Sequence, residues 1–263
     1  MPRTIIGDIK KYVATLIMVT LECNGVRFQD VQAIVWDKDG TLADSLGFLR
    51  NLGQKRAQAV ESEIPGLAEA ILRSFGFTAE SLNPAGLLAV GTRLENEIGV
   101  ATVIAQTGRD WIASLTLARS AFGQVDQGLA RKADLTLPFD GIVNLLRSLH
   151  NQPVKLAILS SDSQTNVEDF VARHDLSSYF QQLVGARVGI SKPAPQLLQL
   201  VCTSLKVDLR HTLVIGDAIA DIQLATNSGA LGSIGVTWGG VMPAQLDGAT
   251  AIAHQVNQIR LQS

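Results

Sequence analysis

The sequence predicts an α/β protein with a Rossmann-like parallel sheet and an inserted α-helical domain. Short apolar runs that end in polar residues alternate with segments of helical periodicity, which is the pattern of βαβ units. A long stretch after the first run shows helical spacing and almost no strand-like runs. The 263 residues, 46 % of them hydrophobic, are enough for a large core together with an inserted domain.

The composition narrows the classes of partner. The chain has 22 basic and 24 acidic residues and a net charge of -2, so it has no global positive field that would attract nucleic acid or an anionic membrane. Cys23 and Cys202 are far apart and lack the spacing of a zinc site or a disulfide framework. We therefore expect a small-molecule partner, and the sequence does not indicate an oligomeric state.

Residues 1–31 are predicted to form an N-terminal extension that ends in a hairpin. Basic residues precede the apolar run Tyr12–Leu21, as in a secretory signal, but this run is too short to span a bilayer and no small-residue cleavage site follows it. We expect no cleaved leader and a cytoplasmic protein; an alternative is that the natural chain starts at Met18. Asn24–Gly25 is the preferred dipeptide for a two-residue hairpin turn.

The core is predicted to comprise residues 32–44 and 137–263, with the helical domain inserted at 45–136. Its first strand, "QAIVW", is short and apolar throughout, as expected for a strand buried on both faces. Three further strands are predicted within "VKLAILSSDS", "HTLVIGDAIAD" and "LGSIGVTWG". Helices are predicted between them in "GIVNLLRSLH", "QTNVEDFVARHDL" and "APQLLQLVCTSL".

Carboxylates follow two of these strands. Asp37 and Asp39 flank a lysine directly after the first strand, an arrangement that a solvated turn explains as well as a site does. Asp217 follows a later strand, and Asp221 lies one helical turn beyond it. Because strand ends in open α/β sheets converge on one crevice, these acids are expected to meet there, and their convergence favours Mg²⁺.

Phosphate-binding groups are predicted at the same crevice. Ser160 and Ser161 follow another strand and open a helix, so they offer hydroxyls and backbone N–H groups. Lys192 precedes a proline in "ISKPAP". Alone it would be interpreted as a surface lysine, but its place in the order of polar groups favours a role at the site.

The ordered set "DKDGT", "LSS", "KP" and "GDAIAD" resembles the four motifs of the haloacid dehalogenase-like (HAD) superfamily of hydrolases. The helical insert has the position of that superfamily's C1 cap and is similar to the caps of phosphoglycolate phosphatases. The resemblance implies that Asp37 is a nucleophile that forms an aspartyl-phosphate, that Asp39 is the general acid and then the base, and that Lys192 neutralises charge.

The resemblance also implies the remaining site residues. Ser160, Ser161 and Thr41 would belong to the substrate-binding group, with Thr41 in the turn after the acids. Mg²⁺ would lie on Asp37, the backbone carbonyl of Asp39 and Asp217, and Asp221 would hold a metal-bound water or Lys192.

The expected activity is magnesium-dependent hydrolysis of a small phosphorylated metabolite, such as a phosphoglycolate-like compound or a sugar phosphate. Asp39 favours phosphoester chemistry over dehalogenation in this superfamily. A phosphomutase similar to β-phosphoglucomutase is the alternative, although Thr41 is more usual in phosphatases. A non-catalytic binding protein is less favoured because both aspartates are present.

Two charged residues are open to more than one interpretation. Arg93 in "VGTRLENEIG" is a candidate to bind a substrate carboxylate bidentately, but a salt bridge with Glu95, Glu97 or a neighbour would explain it equally well. Lys38 stands where family members often have an apolar residue, and we expect it to point to solvent or toward the cap.

Overall fold

The structure, a computed structural model, describes residues 19–79 and 81–262. It begins with a hairpin of β1 (Val19–Cys23) and β2 (Val26–Val31). Asn24 and Gly25 both have positive φ, 49° and 84°, which confirms the predicted two-residue turn. The proposed start at Met18 and the other features of residues 1–18 lie outside the described residues.

The central sheet has six parallel strands in the order β5-β4-β3-β6-β7-β8. They are β3 (Ala33–Trp36), β4 (Lys155–Leu159), β5 (Gln182–Val184), β6 (Thr212–Gly216), β7 (Gly232–Val236) and β8 (Ala251–Ala253). The four predicted core strands correspond to β3, β4, β6 and β7. The sequence pattern missed β5 and β8, which have three residues each and offer too little periodicity to recognise.

The last strand, β9 (Ile259–Gln262), pairs with β1 and makes the hairpin a three-stranded sheet in the order β2-β1-β9. Leu21 and Cys23 of β1 are fully buried in the same apolar cluster as Trp36 of the central sheet. The hairpin is therefore packed into the main core.

Ten α-helices accompany the strands in the part of the chain that the structure describes. Five lie between β3 and residue 128: α1 (Leu46–Glu63), α2 (Ala68–Phe75), α3 (Leu87–Val90), α4 (Arg93–Ala105) and α5 (Trp111–Gln127). The others are α6 (Lys132–Leu135), α7 (Ile142–His150), α8 (Gln164–Arg173), α9 (Pro195–Leu205) and α10 (Ile219–Ser228). None of the helices of residues 19–79 and 81–262 is both long and apolar enough to cross a membrane.

Helices α1 to α5 bury their apolar faces against one another in a cluster that includes Phe75, Ile104 and Phe122. This cluster is distinct from those under and over the sheet. The helix α4 starts at a capping box, in which Thr92 accepts from the backbone N–H of Glu95 and the Glu95 carboxylate accepts from that of Thr92. The inserted helices thus form a layer with its own core.

The short helix α6 falls within the segment assigned to the insert by sequence, but it packs against α8 beside the sheet. Arg131 pairs with Asp169, and His174 Nε2 lies 2.9 Å from the carbonyl oxygen of Ala133. The chain returning from the insert is therefore fixed to the core before β4 begins.

Candidate active site

The predicted site residues come together because of the register of β3 with its two neighbours. Trp36, the last residue of β3, is paired with Ile158 of β4 and Ile215 of β6. Asp37, Ser160 and Asp217 follow these three strands at the same edge of the sheet. They line a cavity of about 90 Å³ between the strand ends and the inserted helices.

Three carboxylates form a buried cluster in this cavity. One oxygen from each of Asp37, Asp217 and Asp221 lies within 4.8 Å of the others. Burial raises the pKa of Asp37 to about 6, with a further contribution from the charge of Asp221, although Lys192 opposes the shift. Burial and the charges of Asp37 and Asp221 raise the pKa of Asp217 well above its usual range. The cluster therefore favours binding of a cation.

Two glycines allow these carboxylates to approach the backbone. Gly40 has a φ of +84°, and a Cβ there would lie 2.0 Å from Oδ2 of Asp217. A Cβ on Gly216 would lie 2.3 Å from Cγ of Asp221. The glycines of "DKDG" and "GD" are thus needed for space, and at Gly40 also for a left-handed backbone conformation.

Lys192 joins the ends of the cluster. Its Nζ donates to Oδ1 of Asp37 and to Oδ1 of Asp221, at 2.6 Å in each case. Burial alone would lower the pKa of Lys192, but the charges of Asp221 and Asp37 outweigh it and raise this pKa. The ammonium group stays charged beside Asp37, where a transferred phosphoryl group would carry negative charge.

Ser160 and Ser161 line the cavity at the end of β4. The Ser160 backbone N–H donates to the carbonyl oxygen of Val184, which extends the pairing of β4 with β5 and fixes the residue. Its hydroxyl oxygen accepts from the backbone N–H of Asp162 at 3.1 Å, so the hydroxyl proton can be given to another group. The geometry is suited to donation to a phosphoryl oxygen.

Thr41 and Arg93 are not among the residues that line the cavity. Thr41 is completely buried, and its hydroxyl donates to Oδ1 of Asp217 at 3.1 Å, so it orients a carboxylate and does not face the substrate space. Arg93 donates to Glu97 at 2.6 Å and pairs with Asp126. The salt-bridge alternative describes the position of Arg93, because the two carboxylates hold its guanidinium on the insert.

The expectation for Lys38 was wrong. This side chain is 1 % exposed and points neither to solvent nor to the cap, because the carboxylates of Asp39 and Asp162 hold it inside the core. Lys132 of α6 contacts the same two carboxylates, at 2.9 Å and 2.7 Å. Lys132 and Asp162 were not among the predicted site residues. Asp162 could have been found because it directly follows Ser160 and Ser161, whereas nothing in the sequence links Lys132 to the site.

The wall of the cavity that the inserted helices provide is mostly apolar. It comprises Leu46, Leu49, Pro84, Leu88, Ala89, Val90 and Gly91. Among the residues that the structure describes, the cations lining the cavity are Lys132 and Lys192, both on the side of the sheet. Most of the charged groups are therefore on the sheet side of the cavity.

Comparisons with known proteins agree with this arrangement. The sequence model of the haloacid dehalogenase-like hydrolases matches residues 31–229. A phosphoglycolate phosphatase of Vibrio vulnificus (strain YJ016) is 26 % identical over 213 residues, which are 80 % of this chain and 86 % of that protein. The pyrophosphatase PpaX of Listeria monocytogenes (serotype 4a) is 27 % identical over 114 residues, 43 % of this chain and 52 % of the relative.

Solved structures share the fold. A haloacid dehalogenase-like family hydrolase from Streptococcus pneumoniae superposes with a TM-score of 0.61 at 19 % identity, covering 86 % of this chain and 94 % of the other. A proposed β-phosphoglucomutase from Thermotoga maritima gives a TM-score of 0.57 at 20 % identity, with 85 % and 94 % covered. Since the family match extends over most of the chain and the strand ends bring its motif residues together, this protein belongs to the haloacid dehalogenase-like hydrolases.

Proposed function

We propose that this protein is a magnesium-dependent phosphatase that hydrolyses a small phosphorylated metabolite through an aspartyl-phosphate. The observation that carries the proposal is the contact between Lys192 and Asp37 inside a cavity that Ser160 and Asp217 also line. A nucleophilic carboxylate, a fixed cation and a hydroxyl donor are the groups that phosphoryl transfer requires. The relatives named phosphoglycolate phosphatase support the same activity.

The residues present fit a divalent metal ion. Of the three buried carboxylates, Asp37 and Asp221 pair with the ammonium group of Lys192 and Asp217 does not, so the cluster has excess negative charge, and its oxygens are the ligands that Mg²⁺ prefers. Asp37, Asp217 and the backbone carbonyl of Asp39 would hold the ion, with Asp221 beside them. When bound, Mg²⁺ supplies positive charge to the phosphoryl oxygens.

The protein groups then divide the chemistry between two steps. An oxygen of Asp37 attacks phosphorus in line, the bond from phosphorus to the leaving oxygen breaks, and Asp39 gives that oxygen a proton. Lys192 and Ser160 stabilise the charge on the transferring group. In the second step Asp39 takes a proton from a water molecule as its oxygen bonds to phosphorus, and the bond from phosphorus to Asp37 breaks, which releases inorganic phosphate and the free Asp37 carboxylate.

The cavity of about 90 Å³ favours a small leaving group. We propose a phosphoglycolate-like compound or a sugar phosphate as the substrate, with the cytoplasm as its setting. A phosphomutase is the second candidate, because the fold is also similar to that of the proposed β-phosphoglucomutase. Incubation with sugar phosphates distinguishes the two activities, since a phosphatase releases inorganic phosphate and a mutase yields an isomeric sugar phosphate.

The decisive experiment is turnover of p-nitrophenyl phosphate with Mg²⁺ by the wild type and by Asp37→Asn. We expect the variant to lose turnover while keeping the circular dichroism spectrum and a cooperative unfolding transition. Asp247→Asn, which removes an exposed carboxylate that is not part of the cavity lining, is the matched control and should keep full activity. Undiminished turnover by Asp37→Asn would exclude Asp37 as the nucleophile, and a folded wild type without any phosphatase activity would exclude the proposed function.

A further inference from the structure

We propose that Lys132, brought to the site by α6, is a positioning residue that works with Lys38 to hold the carboxylate of Asp39 in its productive orientation. This inference rests on the proposed function, in which Asp39 transfers the protons. It assigns a role in the reaction to a residue of the segment that returns from the insert.

Four charged side chains form a closed group beside the carboxylate cluster. Nζ of Lys38 lies 2.7 Å from Oδ1 of Asp39 and 3.0 Å from Oδ2 of Asp162. Nζ of Lys132 lies 2.9 Å from Oδ2 of Asp39 and 2.7 Å from the same oxygen of Asp162. Each oxygen of Asp39 therefore has its own lysine, and in the ionised form of Asp39, which takes the proton from the attacking water, two positive charges balance two negative ones.

The two lysines do different things to Asp39. The contact with Lys38 is ionic, but its angles are not those of a hydrogen bond, since Oδ1 of Asp39 receives no aligned donor. Lys132 gives the aligned hydrogen bond, to Oδ2. Because a directional bond to one oxygen fixes the rotation of the carboxylate, Lys132 should control the orientation of Asp39 more strongly than Lys38 does.

Asp162 holds both lysines in place. It accepts from the backbone N–H of Ser163 and from the side-chain amide of Asn166, each at 2.8 Å, at the start of α8. Although burial opposes it, the charges of Lys132 and Lys38 lower the pKa of Asp162 below its usual range. Asp162 is therefore a fixed anion that keeps the two ammonium groups beside Asp39.

The position of Lys132 is set by the docking of α6 on α8. Arg131 forms two hydrogen bonds to Asp169 through its Nε, at 2.9 and 3.0 Å, on one side of Lys132. On the other side, Arg173 of α8 pairs with Asp134. The residues flanking Lys132 are thus tied to the core, which is the arrangement expected of a group that must hold another within a few tenths of an ångström.

Comparison of two esters tests this role. An alkyl phosphate needs its leaving oxygen to be protonated, whereas a p-nitrophenyl ester needs much less help from an acid. For Lys132→Met we expect kcat/KM on an alkyl phosphate such as glycerol 3-phosphate to fall about tenfold or more, a smaller fall on p-nitrophenyl phosphate, and little change in either KM. Lys132→Gln, which keeps a donor without the charge, should recover part of the loss and serves if the first variant folds poorly.

A crystal structure of the Lys132→Met variant provides the second measurement, and we expect the Asp39 carboxylate to be rotated from its wild-type position. Lys55→Met, on the exposed face of α1, is the matched control for loss of a lysine and should change neither measurement. Equal losses on both esters with a raised KM would show that Lys132 binds substrate directly and would overturn the inference. Unchanged kinetics with an unmoved Asp39 would also overturn it.

The two proposals fail in distinguishable ways. If the wild type turns over neither ester, the proposed function is wrong, and the inferred role in the reaction is wrong with it. If the wild type is active and the Lys132 variants match it, only the inference is wrong.

Discussion

Replacing Asp217 with asparagine should make the metal-free protein more stable while removing its response to Mg²⁺. Asp217 faces the carboxylates of Asp37 and Asp221 within 4.8 Å, and Lys192 pairs with both of those and not with Asp217. The neighbours of Asp217 therefore amount to one uncompensated negative charge. Asparagine keeps an oxygen that can accept the hydrogen bond from Thr41, so the substitution removes charge and little else.

The separation of the carboxylates gives the size of the effect. At 4.8 Å and an effective dielectric constant of about 20, one unit of like-charge repulsion is worth about 3.5 kcal/mol. Burial and the charges of Asp37 and Asp221 raise the pKa of Asp217, so proton uptake relieves part of this repulsion, and we expect a gain of about 2 kcal/mol in the free energy of unfolding. For a chain of this size that gain corresponds to a rise in Tm of about 4 to 8 °C.

The assay is thermal unfolding in EDTA and in Mg²⁺. The wild type should gain stability when Mg²⁺ is added, because the ion binds the folded state, and Asp217→Asn should not. Asp247→Asn, an exposed carboxylate, should leave both the Tm in EDTA and the response to Mg²⁺ unchanged. An equal or lower Tm for Asp217→Asn in EDTA would refute the view that the carboxylate cluster is held against repulsion.

Three further substitutions test other parts of the site. Gly40→Ala should lower the free energy of unfolding by about 1 to 3 kcal/mol in urea titrations and abolish turnover. The added Cβ would overlap Oδ2 of Asp217, and the φ of +84° strains any residue other than glycine. Normal activity of the variant would contradict this prediction. The pKa of Asp162 is depressed in the folded state, so the stabilisation from its charge is fully present above about pH 4 and is lost as the pH falls further. The difference in Tm between the wild type and Asp162→Asn should therefore shrink from pH 6 to pH 3. A constant difference would argue against this role. Arg93→Ala should lower the Tm without changing the order of preference among phosphate esters, because Glu97 and Asp126 hold Arg93 outside the cavity lining. A selective loss of activity on carboxylate-bearing substrates would show that Arg93 binds the substrate.

The sequence was sufficient to predict the central architecture and the meeting of four motifs. Strands such as β3 and β6 are continuous apolar runs, and the polar residues that follow them must lie at one edge of a parallel sheet. Only local patterns and one rule of topology are needed for such a prediction. It therefore succeeded for Asp37, Ser160 and Asp217, whose places depend on the strands that precede them.

Prediction from local patterns could not succeed for residues whose partners are distant in the chain. Lys38 is buried because Asp162, more than a hundred residues later, accepts its charge, and a lone lysine after a strand gives no sign of such a partner. Likewise, the sequence did not indicate that Arg93 pairs with Asp126 on the next long helix, so Arg93 was a candidate to bind the substrate. Side-chain pairing between separate elements depends on packing, which the pattern of one segment does not encode.

The separate apolar cluster of helices α1 to α5 bears on how such a protein could diverge. Substitutions there can reshape the wall that faces the leaving group without passing through the clusters that support β3, so selectivity can change while the phosphate-handling residues are inherited intact. Lys132 is an exception, because it lies near the end of the insert and contacts Asp39 of the core. If the insert is exchanged between related proteins, the segment that returns to the core must still provide a residue that bonds to Asp39. A chimera joined upstream of Arg131 keeps Lys132 and should therefore tolerate the exchange better than one joined after α6.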